Sequence, residues 1–377
     1  MPGTTPTDAN DQKSAAESPA SPPAATKPAP KKSWMRFLGT RSAIKRIGIY
    51  LIVIVVSATA AIWYCTAMPG TSHSGPLPPS TQIQSELAAR LQAHVATLAG
   101  KLGARSTFNF REGAVAAKYL RDELLAMGYA AVNETFVERG SRVPNLEVIL
   151  DGTDDSLPCL VIGAHYDSFQ GTPGADDNAS GVAALLELAR ALKAPAAAQP
   201  LRSVRFVCFV NEEPPSFQTP DMGSWVYAKD LKARSIAVHA MVSIESIGYY
   251  RTEPGTQHYP LKILSRFYPS TGDFIAFVGD LSSRPLVRRS ISSFRSAVAF
   301  PSEGVALPAN IPGVGWSDHW SFWQEGWPAI MVTGTAPFRN PNYHQATDTP
   351  DTLDYDRMSR VVTGLESVVR TLADERP

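Results

Sequence analysis

The stretch CLVIGAHYDSFQGTPGADDNASGVAALLELARAL, residues 159–192, decides the fold. Cys159–Gly163 is a short apolar run of strand length, the pattern of a strand buried on both faces. Ala179–Leu192 reads as a helix, and the turn residues from Gly174 onward open it. Between strand and helix lie His165, Asp167, Asp176 and Asp177. In open α/β sheets, ligands bind beyond the carboxyl ends of the strands, which is where these side chains fall.

The alternation continues on both sides. Upstream, Ile83, Leu87, Leu91, Val95 and Leu98 recur at helical spacing before Gly100, a C-terminal stop. A second helix runs over 113–127 to Gly128, and the segments 130–137 and 145–150 predict strands. Downstream, Val204–Val210 predicts a strand, 224–232 a helix, Ile236–Ser243 a strand, Pro328–Thr333 a strand and Leu353–Asp374 a closing helix. Strands alternating with helices predict an α/β domain with a largely parallel sheet. Residues 251–315, rich in Pro, Gly and Ser, show no clear element and are expected to form an insertion bordering the site.

The N-terminal part is of another kind. The first 30 of the 377 residues hold seven prolines among Ala, Ser and Thr, with little to bury, and predict a disordered tail. Lys31, Lys32, Arg36, Arg41, Lys45 and Arg46 follow with no acidic residue between them. They lead into Ile47–Met68, which carries no charge and at helical rise spans about 30 Å, the hydrocarbon thickness of a bilayer. Trp63 and Tyr64 stand near its far end, where interfacial aromatics belong. The expected organisation is a tail with a basic flank over 1–46, a transmembrane anchor over 47–68, a Pro/Gly/Ser-rich tether over 69–80 and a globular domain over 81–377. With the cations on the N-terminal side, the N-terminus is expected in the cytoplasm and the domain outside it. A cleaved signal peptide is the alternative, since Ala58-Thr59-Ala60 resembles a small-residue cleavage site.

Lys plus Arg number 35 and so do Asp plus Glu, so no basic field is available for nucleic acid. Cys65, Cys159 and Cys208 are too few and too scattered for a disulfide framework or a cysteine-based zinc site. Cys159 and Cys208 lie in apolar runs and read as buried thiols.

The chemistry collects just after the predicted strands: His165-Tyr166-Asp167, the turn Gly174–Gly181, Asn211-Glu212-Glu213, Ser243-Ile244-Glu245 and, in a loop, Asn342-Tyr343-His344. Imidazoles and carboxylates in these proportions suit zinc. Two neighbouring zinc ions need one carboxylate able to bridge them, and a further carboxylate outside the ligand set to take a proton from the attacking water. His-x-Asp offers a ligand together with an acceptor for the imidazole's other N–H.

At these residues the chain resembles the co-catalytic di-zinc peptidases, a family of zinc exopeptidases whose relatives include the glutamate carboxypeptidases and the glutaminyl cyclases. The resemblance covers roughly Phe108–Arg370. It rests on HYD at 165–167, GADDNASG at 174–181, NEE at 211–213, SIESIG at 243–248, SDHWSFW at 317–323 and YHQATDTPDTLD at 343–354. It implies a mixed, mostly parallel central sheet with helices on both faces. It also implies that His165 and Glu245 bind one zinc, that Glu213 and His344 bind the other, and that Asp177 bridges them. Glu212 would be the general base and Asp167 would orient His165. Many aminopeptidases of the family place Asp where Glu245 stands, and NEEPP at 211–215 differs from their commoner Asp-Gly-Glu-Glu.

Other residues have blander readings. His94, His239 and His258 fit no ligand pattern. His319 resembles a supporting residue more than a catalytic one, and Asp176 reads as a solvated or helix-capping carboxylate. Trp316, Trp320, Trp323 and Trp327 recur as a helix face would and read as core. Tyr343 could lend its hydroxyl to the transition state. No His-Glu-x-x-His, Gly-x-Ser-x-Gly or Gly-x-x-x-x-Gly-Lys is present.

The resemblance therefore implies an aminopeptidase acting on peptides with two zinc ions. A one-zinc glutaminyl cyclase and an inert receptor on the same frame are the alternatives. The topology is tested by reporter fusions, which should place residue 30 in the cytoplasm and residue 90 outside it. Release of the domain without detergent, with a new N-terminus near Ala61, would establish a cleaved signal instead.

Overall fold

The computed structural model describes residues 41–136 and 143–376. Most of the predicted tail, with Lys31, Lys32 and Arg36, lies outside the described residues. The chain divides into two units, Met1–Ala58 and Thr59–Pro377. The described part of the first, residues 41–58, is entirely helical. It belongs to helix α1 (Arg41–Thr66), whose stretch Ser42–Thr66 is long and apolar enough to cross a membrane. Its Ile49, Ile52, Ile54 and Val55 are exposed, so no protein core accounts for their composition.

In the second unit the elements run in chain order. Helix α2 (Gln82–Val95) is followed by a π-helical turn, Ala96–Leu102, and by α3 (Phe110–Ala126). Then come β1 (Asn133–Phe136), β2 (Pro144–Leu150), β3 (Cys159–His165), α4 (Gly181–Lys193), β4 (Val204–Phe209), α5 (Gly223–Ala233) and β5 (Val238–Glu245). The chain continues through β6 (Ile275–Gly279), α6 (Arg284–Ala297), β7 (Ser302–Ala306), α7 (His319–Gln324) and β8 (Ala329–Thr333), and closes with α8 (Tyr355–Ala373). Helix α2 starts on a reciprocal cap. Thr81 Oγ1 accepts the Gln84 N–H at 3.2 Å, and Gln84 Oε1 accepts the Thr81 N–H at 3.1 Å.

The strands form one sheet in the order β1-β2-β4-β3-β5-β8-β6-β7. Strands β4, β3, β5 and β8 are parallel neighbours, and β6 and β7 are parallel to each other. The antiparallel pairings are β1 with β2, β2 with β4, and β6 with β8. The sheet is thus mixed and mostly parallel. Its central strands are continuous apolar runs because helices cover both faces. Leu160, Ile162, Phe206, Val242 and Val332 share a core with residues of α2, α4, α6 and α8. Val161, Val207, Phe209 and Met241 pack on the other face against Tyr227 and Leu231 of α5 and Phe322 of α7.

Residues 251–315 are more than an insertion. They supply β6, α6 and β7, and two of the sheet's strands therefore come from a segment with no predicted element. Over β8, β6 and β7 the only helical residue among the described ones that packs into this part of the second face is Trp323 of α7. The segments around Tyr259 and around Ile311–Val314 pack there beside it, against Phe274, Ala276, Val278 and Met331. Residues just after α1 are fastened to α6 and to the start of β7. Arg288 donates to Ala67 O, Arg295 donates to Pro69 O (2.9 Å) and Gly70 O (3.2 Å), and the Ser302 N–H donates to Ser72 Oγ (2.9 Å).

Gly163 sits in mid-sheet, where a Cβ would lie 2.3 Å from a ring carbon of Phe209 and 3.0 Å from Met241 Cε. Gly163→Ala is expected to lower stability by about 1–3 kcal/mol through overpacking. Denaturant unfolding of the detergent-solubilised chain checks this, and an unchanged midpoint would mean that Phe209 has room to yield.

Candidate metal centre at the strand ends

Strand β3 ends on His165 and β5 on Glu245. Gly163 pairs with Ser243, so the two terminal side chains emerge on one face of the sheet. His165 Nε2 lies 3.2 Å from Glu245 Oε2, 3.4 Å from Asp177 Oδ1 and 3.8 Å from Glu212 Oε2. His344 Nε2 lies 3.1 Å from Asp177 Oδ2 and 3.4 Å from Glu213 Oε2. Two clusters result, His165–Asp177–Glu245 and Asp177–Glu213–His344, each with one ligand-capable atom per residue within 4.8 Å of the others. Asp177 is shared, one oxygen facing each cluster. Glu212 stands beside the first cluster and belongs to neither.

The donors face each other without bonding. His344 Nε2 and Glu213 Oε1 are buried and have no hydrogen-bond partner, although carboxylate oxygens lie close to the imidazole. Polar atoms that converge in this way, all imidazole nitrogen or carboxylate oxygen, fit a pair of divalent cations of the zinc type.

Each segment that carries these groups is held from behind. His165 Nδ1 faces Asp167, 3.3 Å from its main-chain oxygen and 3.5 Å from its carboxylate. A donor hydrogen there leaves Nε2 with a free lone pair. The Asp167 carboxylate in turn accepts the N–H groups of Glu212 (3.2 Å) and Glu213 (3.1 Å). Asp348 does the same for the other bearing loop, accepting the N–H groups of Asp176 (2.9 Å) and Asp177 (3.1 Å). Glu245 receives hydroxyl hydrogens from Ser317 (2.8 Å) and Ser246 (2.7 Å). The His344 ring lies between those of Phe169 and Tyr343, with centroids 4.0 and 3.8 Å away. Arg105, fully buried, donates to five carbonyl oxygens, those of Leu98, Gly103, Tyr166, Pro173 and Gly174.

Several residues differ from their sequence reading. Asp176 is buried, not solvated. It accepts the Gly248 N–H (2.7 Å) and the Asn340 amide (2.8 Å), because it closes the loop against the end of β5. The four tryptophans share no helix face, since α7 covers only His319–Gln324. Trp316 lines the cavity described below, while Trp323 donates to Ala329 O (3.0 Å) and Trp320 packs edge-on against Trp225. His319 is buried with Nε2 on Val314 O (2.8 Å), away from both clusters. His258 stands at the cavity wall. Asp348 and Arg105 were missed. Asp348 lies inside the YHQATDTPDTLD stretch but carries no sign there of its partner, and Arg105 has no motif around it.

Crowding of acids in a buried site moves their titration. Burial, with the charges of Glu213, Glu245 and Asp318, holds Glu212 well above the usual carboxylate range against the pull of His165. Burial and Asp177 push Glu213 up to about 8, and burial with Asp176 raises Asp348 to about 8. Burial would raise Asp177 too, but His165 and His344 hold it below the usual range. Burial disfavours charge on His344, yet the carboxylates of Asp177 and Glu213 outweigh it and raise it to about 10.

The clusters open into a cavity of about 410 Å³. Asp177, Glu212, Glu213 and Glu245 line one end, and Tyr259, Phe274, Met331 and Phe338 are among the residues that make the rest largely apolar.

A model of peptidase family M28 matches residues 145–369. The uncharacterized protein YfbL of Escherichia coli (strain K12) is 41% identical over 252 residues, which is 62% of this chain and 76% of YfbL. A probable leucine aminopeptidase of Arthroderma otae is 29% identical over 211 residues, 53% of this chain and 49% of that protein. The match to it therefore spans about half its length. Among solved structures, LapB from Legionella pneumophila superposes with a TM-score of 0.61 at 21% identity, over 84% of this chain and 81% of LapB. That likeness is one of fold.

Asp348→Ala would leave two buried N–H groups without an acceptor, at about 1–3 kcal/mol each. It should lower thermal stability and bound metal together, whereas Asp351→Ala, at an exposed neighbour, should change neither. Equal behaviour of the two variants in unfolding and metal analysis would remove Asp348 from its supporting role.

Proposed function

The chain belongs to peptidase family M28, and on that premise we propose that it is a membrane-anchored aminopeptidase with two co-catalytic zinc ions. One observation carries the reading: Asp177 divides its two oxygens between two three-residue clusters, while Glu212 adjoins the first of them without joining either. His165 and Glu245 would hold one ion, Glu213 and His344 the other, and Asp177 both. Bound there, the ions would polarise the scissile carbonyl and acidify the attacking water.

This chain's own groups do the rest. Asp167 fixes the imidazole of His165 and, through two N–H groups, the peptide that carries Glu212. Glu212 faces the cavity. It is placed to accept the proton of the attacking water and to return it to the leaving amine. The carboxylates at that end of the cavity form an environment suited to the protonated α-amine of a peptide. Tyr343, stacked on His344, lines the same end. A glutaminyl cyclase would need one ion and leaves the second cluster without a purpose. An inert receptor leaves Glu212 without one. Residues 47–68 would anchor the chain in a membrane, with the N-terminus cytoplasmic and the peptidase domain on the other side.

Glu212→Gln should retain zinc and lose 10²–10⁴-fold in rate, roughly 3–5 kcal/mol of barrier, in kcat more than in KM. Acetylation of the substrate's terminal amine should abolish most cleavage. An undiminished kcat with intact metal in the variant, or efficient turnover of the acetylated peptide, would overturn the mechanism.

A further inference from the structure

The sheet register brings one more carboxylate into the cavity. Glu245 pairs with Thr333, Thr333 with Ala276, and Ala276 with Glu303. Directly paired residues project from the same face, so these four side chains make one row across β5, β8, β6 and β7. All four line the cavity. Three strand spacings separate the ends of the row, about 14 Å between the backbones of Glu245 and Glu303. The two residues between them are small and leave a trough. Its walls are apolar or aromatic, with Val278 and Met331 beside the row and Tyr259, Phe274 and Tyr268 around it.

Glu303 closes the trough at the end away from the metal ligands. Its side chain retains 20% of its exposure, and the nearest cation is Arg295, with Nη2 at 4.0 Å. The guanidinium of Arg295 spends its hydrogen bonds elsewhere, on Pro69 O, Gly70 O, Ser302 Oγ and Ser302 O. Burial raises the Glu303 carboxyl above its ordinary value, and Arg295 and the Ser72 hydroxyl only partly oppose this. The carboxylate is therefore under-compensated where it stands, and a cation brought to it would be held strongly.

An apolar channel ending in a carboxylate is the complement of an aliphatic stem ending in a cation. A leucine or valine side chain entering from the metal end would stop over Thr333 and Ala276. A lysine or arginine side chain reaches on towards Glu303. We propose that Glu303 determines specificity and that the cavity selects peptides whose N-terminal residue is lysine or arginine. The inference rests on the aminopeptidase reading and names its substrate class. Glu303 touches no reacting atom, so its effect belongs to binding of the side chain.

The test uses the full chain in detergent, loaded with zinc, and the p-nitroanilides of lysine, arginine, leucine and alanine. The lysine and arginine substrates should exceed leucine in kcat/KM. Glu303→Gln should lower both by about 10- to 100-fold, mainly through KM, and leave leucine within about twofold. A measurement without any variant accompanies it: free lysine should inhibit alanine p-nitroanilide hydrolysis better than norleucine, which has a similar stem and no side-chain charge. If aminoacyl substrates are cleaved but leucine is preferred, or norleucine inhibits as well as lysine, the aminopeptidase reading stands and the role of Glu303 is wrong. Equal losses on lysine and leucine in a folded Glu303→Gln protein would mark a structural residue and overturn the proposal. Failure to cleave any of the four would overturn the underlying reading, and the inference with it.

Discussion

The Asp167 carboxylate accepts the N–H groups of two consecutive residues, Glu212 and Glu213, while the imidazole of His165 rests against the same aspartate. Asp348 repeats the device on Asp176 and Asp177. Aspartate suits this task because its two carboxyl oxygens can each accept one N–H, and its short stem allows little play. Hydrogen bonds between buried groups are strong, and each pair fixes both the position and the tilt of a peptide plane. The side chains that face the cavity inherit that tilt. Without the clamps, Glu212, Glu213 and Asp177 would be carried by loops free to turn.

The clamps add negative charge to a place that already has too much. Carboxylates at positions 167, 176, 177, 212, 213, 245, 318 and 348 are all buried at or behind the strand ends. Arg105 is spent on carbonyl oxygens and makes no hydrogen bond to any of them. Such crowding is unfavourable for the folded chain alone, and protons or cations must offset it. A metal bound among these residues would for that reason couple its binding to folding. The sheet contributes rigidity: β3, β5 and β8 are apolar on both faces and end in step, so the groups beyond them start from a fixed frame.

Much of this was legible from sequence because the clustered histidines and carboxylates announce themselves locally. Each sits in a short motif immediately after an apolar strand, and the fold class follows from the same strands. The boundaries were less visible. His165 and Glu245 close their strands instead of following them, since polarity alone suggested a stop two residues early. Strands β6 and β7 stayed hidden: each has five residues, and they join the sheet only through the antiparallel pairing of β6 with β8, a strand later in the chain. Glu303 was invisible for the same reason, because its place beside Thr333 and Ala276 exists only in the register. Asp348 and Arg105 act on main-chain groups distant in sequence, which no local pattern records. The tryptophan spacing misled because it continued past the end of a six-residue helix.

The two histidines are unequally sheltered. His165 ends a central strand and its side chain is 1% exposed, whereas His344 lies in a loop, held by ring stacking, with 24% exposed. Ions bound at the two positions would thus differ in lability even if their affinities matched. Water and competing chelators would reach the His344 side directly, whereas the His165 side is the more enclosed. The outer ion would exchange with its surroundings on a shorter timescale than the inner one. Activity would then follow the supply of metal to the outer position, while the inner position stayed filled.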